Sequence, residues 1–196
     1  MKEFWFFLIG IVSYIVGSLP TGYLIVKFKK GIDIRKFGSG ATGGTNTARI
    51  LGLKYGILVG LIDVVKCFLL VLFFSNFVKS DWIVVIIVLM VTIGHIFPCF
   101  IGFKGGKGVS TIVGGLILLM GWTWLPLIAI WAATLRVTRK MSLTNLTVVL
   151  LLPLFLWLSK HSPIYVAFGF MVIIVVYYSH RENIKRLFLG KEPNVF

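Results

Sequence analysis

Gly94-His-Ile-Phe-Pro-Cys-Phe-Ile-Gly-Phe-Lys-Gly-Gly-Lys-Gly-Val-Ser-Thr111 is a glycine-rich, doubly basic stretch wedged between two apolar segments. Lys104 and Lys107 flank Gly105 and Gly106, and Gly108 follows. Glycines let the main chain approach an anion closely, successive N–H groups can form an anion-binding nest, and a helix starting near Val109 would add its positive end. The pattern points to a bound phosphate. It is not the nucleotide-binding P-loop, because aligning Gly106-Lys107 with that motif's Gly-Lys puts Ile101 at its first glycine and Gly108 at its Ser/Thr.

The chain around this loop is too apolar for a soluble domain. Of its 196 residues 58% are hydrophobic and 13% charged, and the mean hydropathy is +0.99. This is the composition of an integral membrane protein. Twenty Lys and Arg against 6 Asp and Glu leave a net charge of +14, which fits both the excess of basic residues in cytoplasmic loops and an anionic substrate. No nucleic-acid partner is expected. Cys67 lies in an apolar run and Cys99 beside the central loop, so neither belongs to a disulfide framework or a metal-ligand cluster. Met1-Lys-Glu followed by Phe4 to Val16 has no obvious small-residue cleavage site and reads as a retained helix.

About 20 apolar residues cross a bilayer core of about 30 Å. The first span covers about Phe4 to Val26, with Gly17-Ser-Leu-Pro-Thr-Gly-Tyr23 near its end as a kink or the border of a cavity. The second runs from about Leu53 to Phe74 and holds Asp63 and Lys66, whose i,i+3 spacing predicts a structural pair facing the interior. A third runs from Trp82 to Gly94 or slightly beyond, where His95 stands at the mouth of the loop and is expected to orient it. Val109 to Leu135 is apolar apart from Gly121 and Pro126 and fits one tilted helix or two short ones.

Charge decides between them. A turn near Gly121-Trp122 places all of the 20 basic residues on one side except Lys2, Lys66, Lys79 and Lys160, whereas a single span spoils that asymmetry. Further spans follow at about Leu143 to Leu158 and Ile164 to Ser179, joined by a turn in which His161 is a solvated residue. The expectation is an all-α integral membrane protein of about seven transmembrane helices, with the N-terminus outside and the C-terminus cytoplasmic. It forms one polytopic domain over residues 1–196, with cytoplasmic loops at about 27–52, 94–111 and 179–196.

Two of these loops repeat the chemistry of the first. Gly38-Ser-Gly-Ala-Thr-Gly-Gly-Thr-Asn-Thr-Ala-Arg49 puts glycines and hydroxyls ahead of an arginine, and Ser39, Thr45, Asn46 and Arg49 can supply donors to phosphate oxygens. Its match to the dinucleotide pattern G-x-G-x-x-G lacks the βαβ setting that motif needs. In the tail, His180 and Asn183 would share one face if the last helix continued. Clustered carboxylates for a metal are lacking, and Ser39 with His180 makes a poor hydrolase, since Gly38-Ser-Gly40 is not a nucleophile elbow. What remains is electrostatic: cations and donors gathered around phosphate-bearing molecules, with a His/Asn pair able to manage a proton or orient a hydroxyl. A small anion transporter is the rival, but no repeated half is visible and the ligands cluster at a loop face.

The chain resembles the bacterial membrane-bound acyl-phosphate:glycerol-3-phosphate acyltransferases of the PlsY type. The resemblance covers nearly the whole chain. It rests on Gly17-Ser-Leu-Pro-x-Gly-Tyr23 with Gly38-Ser-Gly and Thr45-Asn46-x-x-Arg49, on Gly94-His-x-Phe-Pro with Phe103-Lys-Gly-Gly-Lys-Gly-Val109, and on His180-Arg-Glu-Asn-Ile-x-Arg186 with Gly190. The first motif departs from the family's Ser-Gly-Asn-x-Gly-Ala-Thr-Asn, with Ala41 for the asparagine and Gly44 for the alanine. The resemblance implies transfer of a fatty acyl group from acyl phosphate to the 1-hydroxyl of glycerol 3-phosphate, giving lysophosphatidic acid and inorganic phosphate with no cofactor or metal. It implies catalytic roles for Ser39, Arg49, Lys107, His180 and Asn183, and substrate or phosphate contacts at Gly38, Gly40, Thr45, Asn46, Lys104, Gly105, Gly106 and Gly108. It also implies a bacterial inner membrane with the active site facing the cytoplasm, membrane lipid around the chain, and the enzyme that supplies acyl phosphate as a partner.

Overall fold

The computed structural model describes residues 2–159 and 162–195, so Lys160 and the turn residue His161 lie outside the described residues. Every regular element in them is helical. The chain divides into two compact units, Met1–Leu118 and Leu119–Phe196.

The first unit contains α1 (Lys2–Gly17), α2 (Thr21–Lys30), a 3-10 turn (Ile34–Lys36), α3 (Gly44–Leu51), α4 (Leu53–Phe77), α5 (Asp81–Ile96), a second 3-10 turn (Cys99–Ile101) and the start of α6 (Val109–Met120). Its helices approach closely at glycines. A Cβ on Gly17 would lie 2.3 Å from the Val91 carbonyl oxygen, and one on Gly94 2.2 Å from that of Tyr14, so α1 and α5 touch backbone to backbone. Gly114 and Gly115 seat α6 in the same way, the first against Val64 and the second against Val88.

The glycine-and-proline stretch after α1 is a true break. The helix stops at Gly17, and α2 starts at Thr21 after Pro20, which has no N–H to give. The break is bridged from α4: Lys66 Nζ lies 3.1 Å from Gly17 O and 3.4 Å from Leu19 O, which also accepts the Thr21 N–H at 3.0 Å. Lys66 also pairs with Asp63 at 2.8 Å, and Thr21 Oγ1 donates to Asp63 Oδ1 at 3.2 Å. The expected interior pair therefore exists and has a task. On the same helix Leu61, Ile62, Val65 and Leu69 are exposed, as a lipid-facing surface requires.

The second unit holds a 3-10 turn (Gly121–Trp124), α7 (Leu125–Thr138), α8 (Met141–Leu158), α9 (Pro163–Ser179) and α10 (Arg181–Phe188). Trp131 Nε1 donates to Asn145 Oδ1 at 3.0 Å between α7 and α8. Gly169 of α9 packs on Pro153, where α8 lacks a backbone donor. At His180 the axis turns by 67° into α10, so α9 does not continue straight through His180 and Asn183.

Among the described residues, five stretches are long and apolar enough to cross a membrane: Phe4–Lys30, Leu53–Phe77, Asp81–Ile101, Val109–Thr138 and Met141–Leu158. The bent pair Pro163–Ser179 and Arg181–Phe188 would make a sixth. This differs from the seven read from the sequence because α6, the Gly121–Trp124 turn and α7 together form one 30-residue stretch.

Candidate functional site

Asn46 organises the first glycine loop. It is buried in the first turns of α3, and its Nδ2 faces the carbonyls of Ala41 at 2.9 Å, Phe37 at 3.0 Å and Ile34 at 3.4 Å. Its Oδ1 accepts the Ser39 N–H at 3.0 Å. The expectation that Asn46 offers a donor to phosphate is corrected by this geometry, since both amide hydrogens are committed to the loop's own carbonyls. Gly38 and Gly40 have φ of 58° and 72°, the left-handed region in which a Cβ is strained, and a Cβ on Gly38 would sit 2.2 Å from Asn46 Oδ1. Arg49 is exposed and runs past Gly38, its Cδ 3.8 Å from that Cβ position. Ser39 and Thr45 are half-buried on either side of the Gly43–Gly44 start of α3. Gly38, Ser39, Gly40 and Arg49 are thus brought together by a loop that Asn46 holds from within.

Arg35 pins the outer edge of this loop. It pairs with Asp33 at 2.6 Å, donates to the Ile101 carbonyl and lies over the Tyr23 ring. The hydrogen bonds from its guanidinium hold the Asp33 carboxyl down at about 2.

The central loop folds back onto the end of α5. Gly105 N–H donates to Ile96 O at 3.0 Å and Gly106 N–H to His95 O at 2.9 Å. These two donors cap the orphan carbonyls of α5, so the expected nest is not built from Gly105 and Gly106. A Cβ on Gly105 would lie 2.1 Å from His95 O, one on Gly106 1.9 Å from His95 Nε2, and one on Gly108 2.6 Å from Thr92. These glycines are required for contact with α5, a different reason from the one the sequence suggested. Lys104 is exposed and Lys107 half-buried. Gly108, at φ 83°, turns the chain into α6, whose first turn presents backbone N–H groups at this end of the loop. The two glycine loops are joined directly, because Thr42 N–H donates to Gly105 O at 3.2 Å.

His95 is buried beneath the loop, with Nδ1 3.3 Å from Lys66 Nζ and 3.6 Å from Asp63 Oδ1. From the sequence, His95 is expected to orient the loop and Asp63 and Lys66 to pair. That the three form one cluster is visible only in the fold.

In the second unit His180 is fully buried at the corner between α9 and α10, with Nδ1 2.9 Å from Val176 O. A carbonyl only accepts, so Nδ1 carries the hydrogen and Nε2 is the basic nitrogen. Asn183, also buried, donates from Nδ2 to Glu192 Oε1 at 2.6 Å. Glu192 further accepts from Ser142 Oγ at 2.8 Å and Arg186 Nε at 2.8 Å. Burial alone would raise the Glu192 carboxyl, but the hydrogen bonds from Asn183, Ser142 and Arg186 outweigh it and keep the group below its ordinary value. Sequence reasoning missed Glu192. The available signal was a lone acid after Gly190 in an otherwise basic tail, and Gly190, at φ 68°, makes the turn that carries it back.

The sequence model described as glycerol-3-phosphate acyltransferase matches residues 7–190. The chain belongs to the glycerol-3-phosphate acyltransferase family. Among its relatives, the glycerol-3-phosphate acyltransferase of Synechococcus sp. strain CC9902 is 38% identical over 94% of this chain and 92% of its own length. That of Fusobacterium nucleatum subsp. nucleatum is 38% identical over 95% and 96%. The crystal structure of PlsY (YgiH), an integral membrane glycerol 3-phosphate acyltransferase, superposes in its glycerol 3-phosphate form with a TM-score of 0.91 at 34% identity, covering 96% of this chain and 94% of that one. Its lysophosphatidic acid form gives 0.88 at 33% identity. The protein is therefore an integral membrane acyltransferase of phospholipid synthesis, and both glycine loops and the His180/Asn183 corner fall within the matched residues.

Proposed function

We propose that this acyltransferase moves a fatty acyl group from acyl phosphate to the 1-hydroxyl of glycerol 3-phosphate. The hydroxyl oxygen attacks the acyl carbonyl carbon, the bond from that carbon to the phosphate oxygen breaks, and lysophosphatidic acid and inorganic phosphate leave. The observation that carries this reading is the coupling of the two glycine loops through Thr42 and Gly105, which sets the Gly38–Arg49 and Lys104–Gly108 loops side by side. Two phosphates need two sets of cations, and Arg49 with Ser39 and Lys107 with Lys104 supply them. Acyl phosphate is already activated, so orientation of two bound reactants provides much of the rate without an acyl-enzyme.

The hydroxyl proton goes either to the departing phosphate oxygens or to His180, and His180 and Asn183 are the residues this reading assigns to orienting the hydroxyl. The cationic loops face the cytoplasm of a bacterial inner membrane in this reading, the acyl chain enters from the bilayer, and a separate enzyme delivers acyl phosphate. Purified protein given palmitoyl phosphate and glycerol 3-phosphate is expected to release phosphate and lysophosphatidic acid in equal amounts, with acyl-CoA inert as donor. Product from acyl-CoA alone would overturn the donor, and uptake of glycerol 3-phosphate into liposomes without product would favour a transporter.

A further inference from the structure

Asp63, Lys66 and His95 are buried within the helices of the first unit, and none of them enters the acyl transfer just described. Charged groups are costly inside a span, and apolar side chains would pack α4 against α5 equally well. The cluster is built around the Lys66 ammonium. Its three N–H donors are shared among Gly17 O at 3.1 Å, Leu19 O at 3.4 Å, Asp63 Oδ1 at 2.8 Å and His95 Nδ1 at 3.3 Å. An ammonium has no lone pair, so Lys66 donates to Nδ1 and His95 carries its own hydrogen on Nε2. That nitrogen is the ring atom nearest Gly106, occupying the place of a Cβ there, while the His95 carbonyl takes the Gly106 N–H at 2.9 Å. The loop is therefore seated on His95 twice, once through the backbone and once on the ring.

We propose that Asp63, Lys66 and His95 form a positioning network for the phosphate loop. Lys66 fixes the tautomer and angle of the His95 ring, Asp63 holds Lys66, and the ring sets the height of Gly105–Gly108 and with it the Lys107 ammonium. The same ammonium caps the end of α1, so the break between α1 and α2 and the loop share one anchor. This rests on the phosphate-holding role given above to Lys107.

The test uses the full chain in detergent or lipid and compares wild type with K66M, K66R and H95L. H95L leaves the Asp63–Lys66 pair intact and keeps the proposal testable if K66M does not fold. Three quantities are read: glycerol 3-phosphate affinity by calorimetry, amide exchange of the 97–111 segment, and melting temperature. K66M and H95L are expected to weaken binding by about 10- to 100-fold, the scale of loss when an outer partner that orients a ligand-binding group is removed. Exchange at Gly105 and Gly106 rises, and K66R recovers most of both. Folded K66M and H95L with wild-type affinity and exchange would overturn the network. So would a lowered melting temperature with unchanged affinity, which is what a purely structural cluster would give. If the wild type fails to turn over acyl phosphate while the variants still lose glycerol 3-phosphate affinity, the donor assignment fails and the network stands.

Discussion

An alanine at position 44 would place its Cβ 2.5 Å from the Gly56 carbonyl oxygen, whereas at the neighbouring Gly43 it would meet nothing within 4 Å and no positive φ. Gly44→Ala must push α3 off α4 and is expected to cost about 1–3 kcal/mol. Gly43→Ala should stay within about 0.5 kcal/mol, and paired thermal melts check both. Asn46→Ala strips the Ala41 carbonyl of its side-chain donor and leaves the Phe37 carbonyl with only the Gly40 N–H, at about 1–3 kcal/mol for a lost partner in a part-buried loop. Its activity loss should come with protease sensitivity near residues 37–44. Loss of activity with a wild-type digestion pattern would instead make Asn46 a direct ligand. The sequence singled out Asn46 and the central glycines for anion contacts, whereas in the fold the Asn46 amide and the Gly105 and Gly106 N–H groups face the protein's own carbonyls. Composition shows that a donor exists, and only the fold shows whether a carbonyl has already taken it.

At the scale of elements, the segment after α10 is held by one carboxylate. Glu192 gathers Ser142 of α8 with Asn183 and Arg186 of α10, and Val195 N–H reaches Arg139 O at 2.8 Å. Because the folded state keeps the Glu192 carboxyl below its ordinary value, its contribution is present above the unfolded carboxylate range and is lost as pH falls through the folded one. Glu192→Gln is expected to destabilise the protein by about 1–3 kcal/mol at neutral pH, the worth of hydrogen bonds to a buried charge. The difference from wild type should shrink as pH drops below about 4, near the ordinary Glu value. Melting curves of both proteins across that range check it, and a constant difference would mean that charge plays no part. Helices α4, α5, α8 and α9 were legible as apolar runs, whereas the first span was read as continuous to Val26 with a kink or cavity border at its glycine and proline, and the fold breaks it there into α1 and α2. The corner at His180 was not, because its polar residues are compatible with a continuing helix until the Glu192 contact is known.

At the scale of the whole chain, length and charge disagree over residues 109–138. The stretch α6, Gly121–Trp124 and α7 is 30 residues long and apolar enough to cross once. Split at the turn it leaves helices of 12 and 14 residues, each short of the roughly 20 that a bilayer core of about 30 Å requires. A single crossing would put Arg136, Arg139 and Lys140 on the face opposite Lys104 and Lys107, and each such reversal opposes the cytoplasmic bias of basic loops. At about 1.5 Å per residue each helix falls roughly 10 Å short. At fractions of a kcal/mol per Å, thinning of the bilayer or extension of the ends costs a few kcal/mol, whereas several misplaced cations in short loops set orientation outright. Two crossings are therefore expected. With Cys67 and Cys99 replaced by serine, single cysteines at 79, 104 and 139 can be probed by an impermeant thiol reagent in sealed cells and in inverted vesicles. Positions 104 and 139 should react from the cytoplasmic side and position 79 from the other. Reaction of 139 together with 79 would join α6 to α7 in one span, leave six crossings, and place the basic α7–α8 turn on the face opposite position 104.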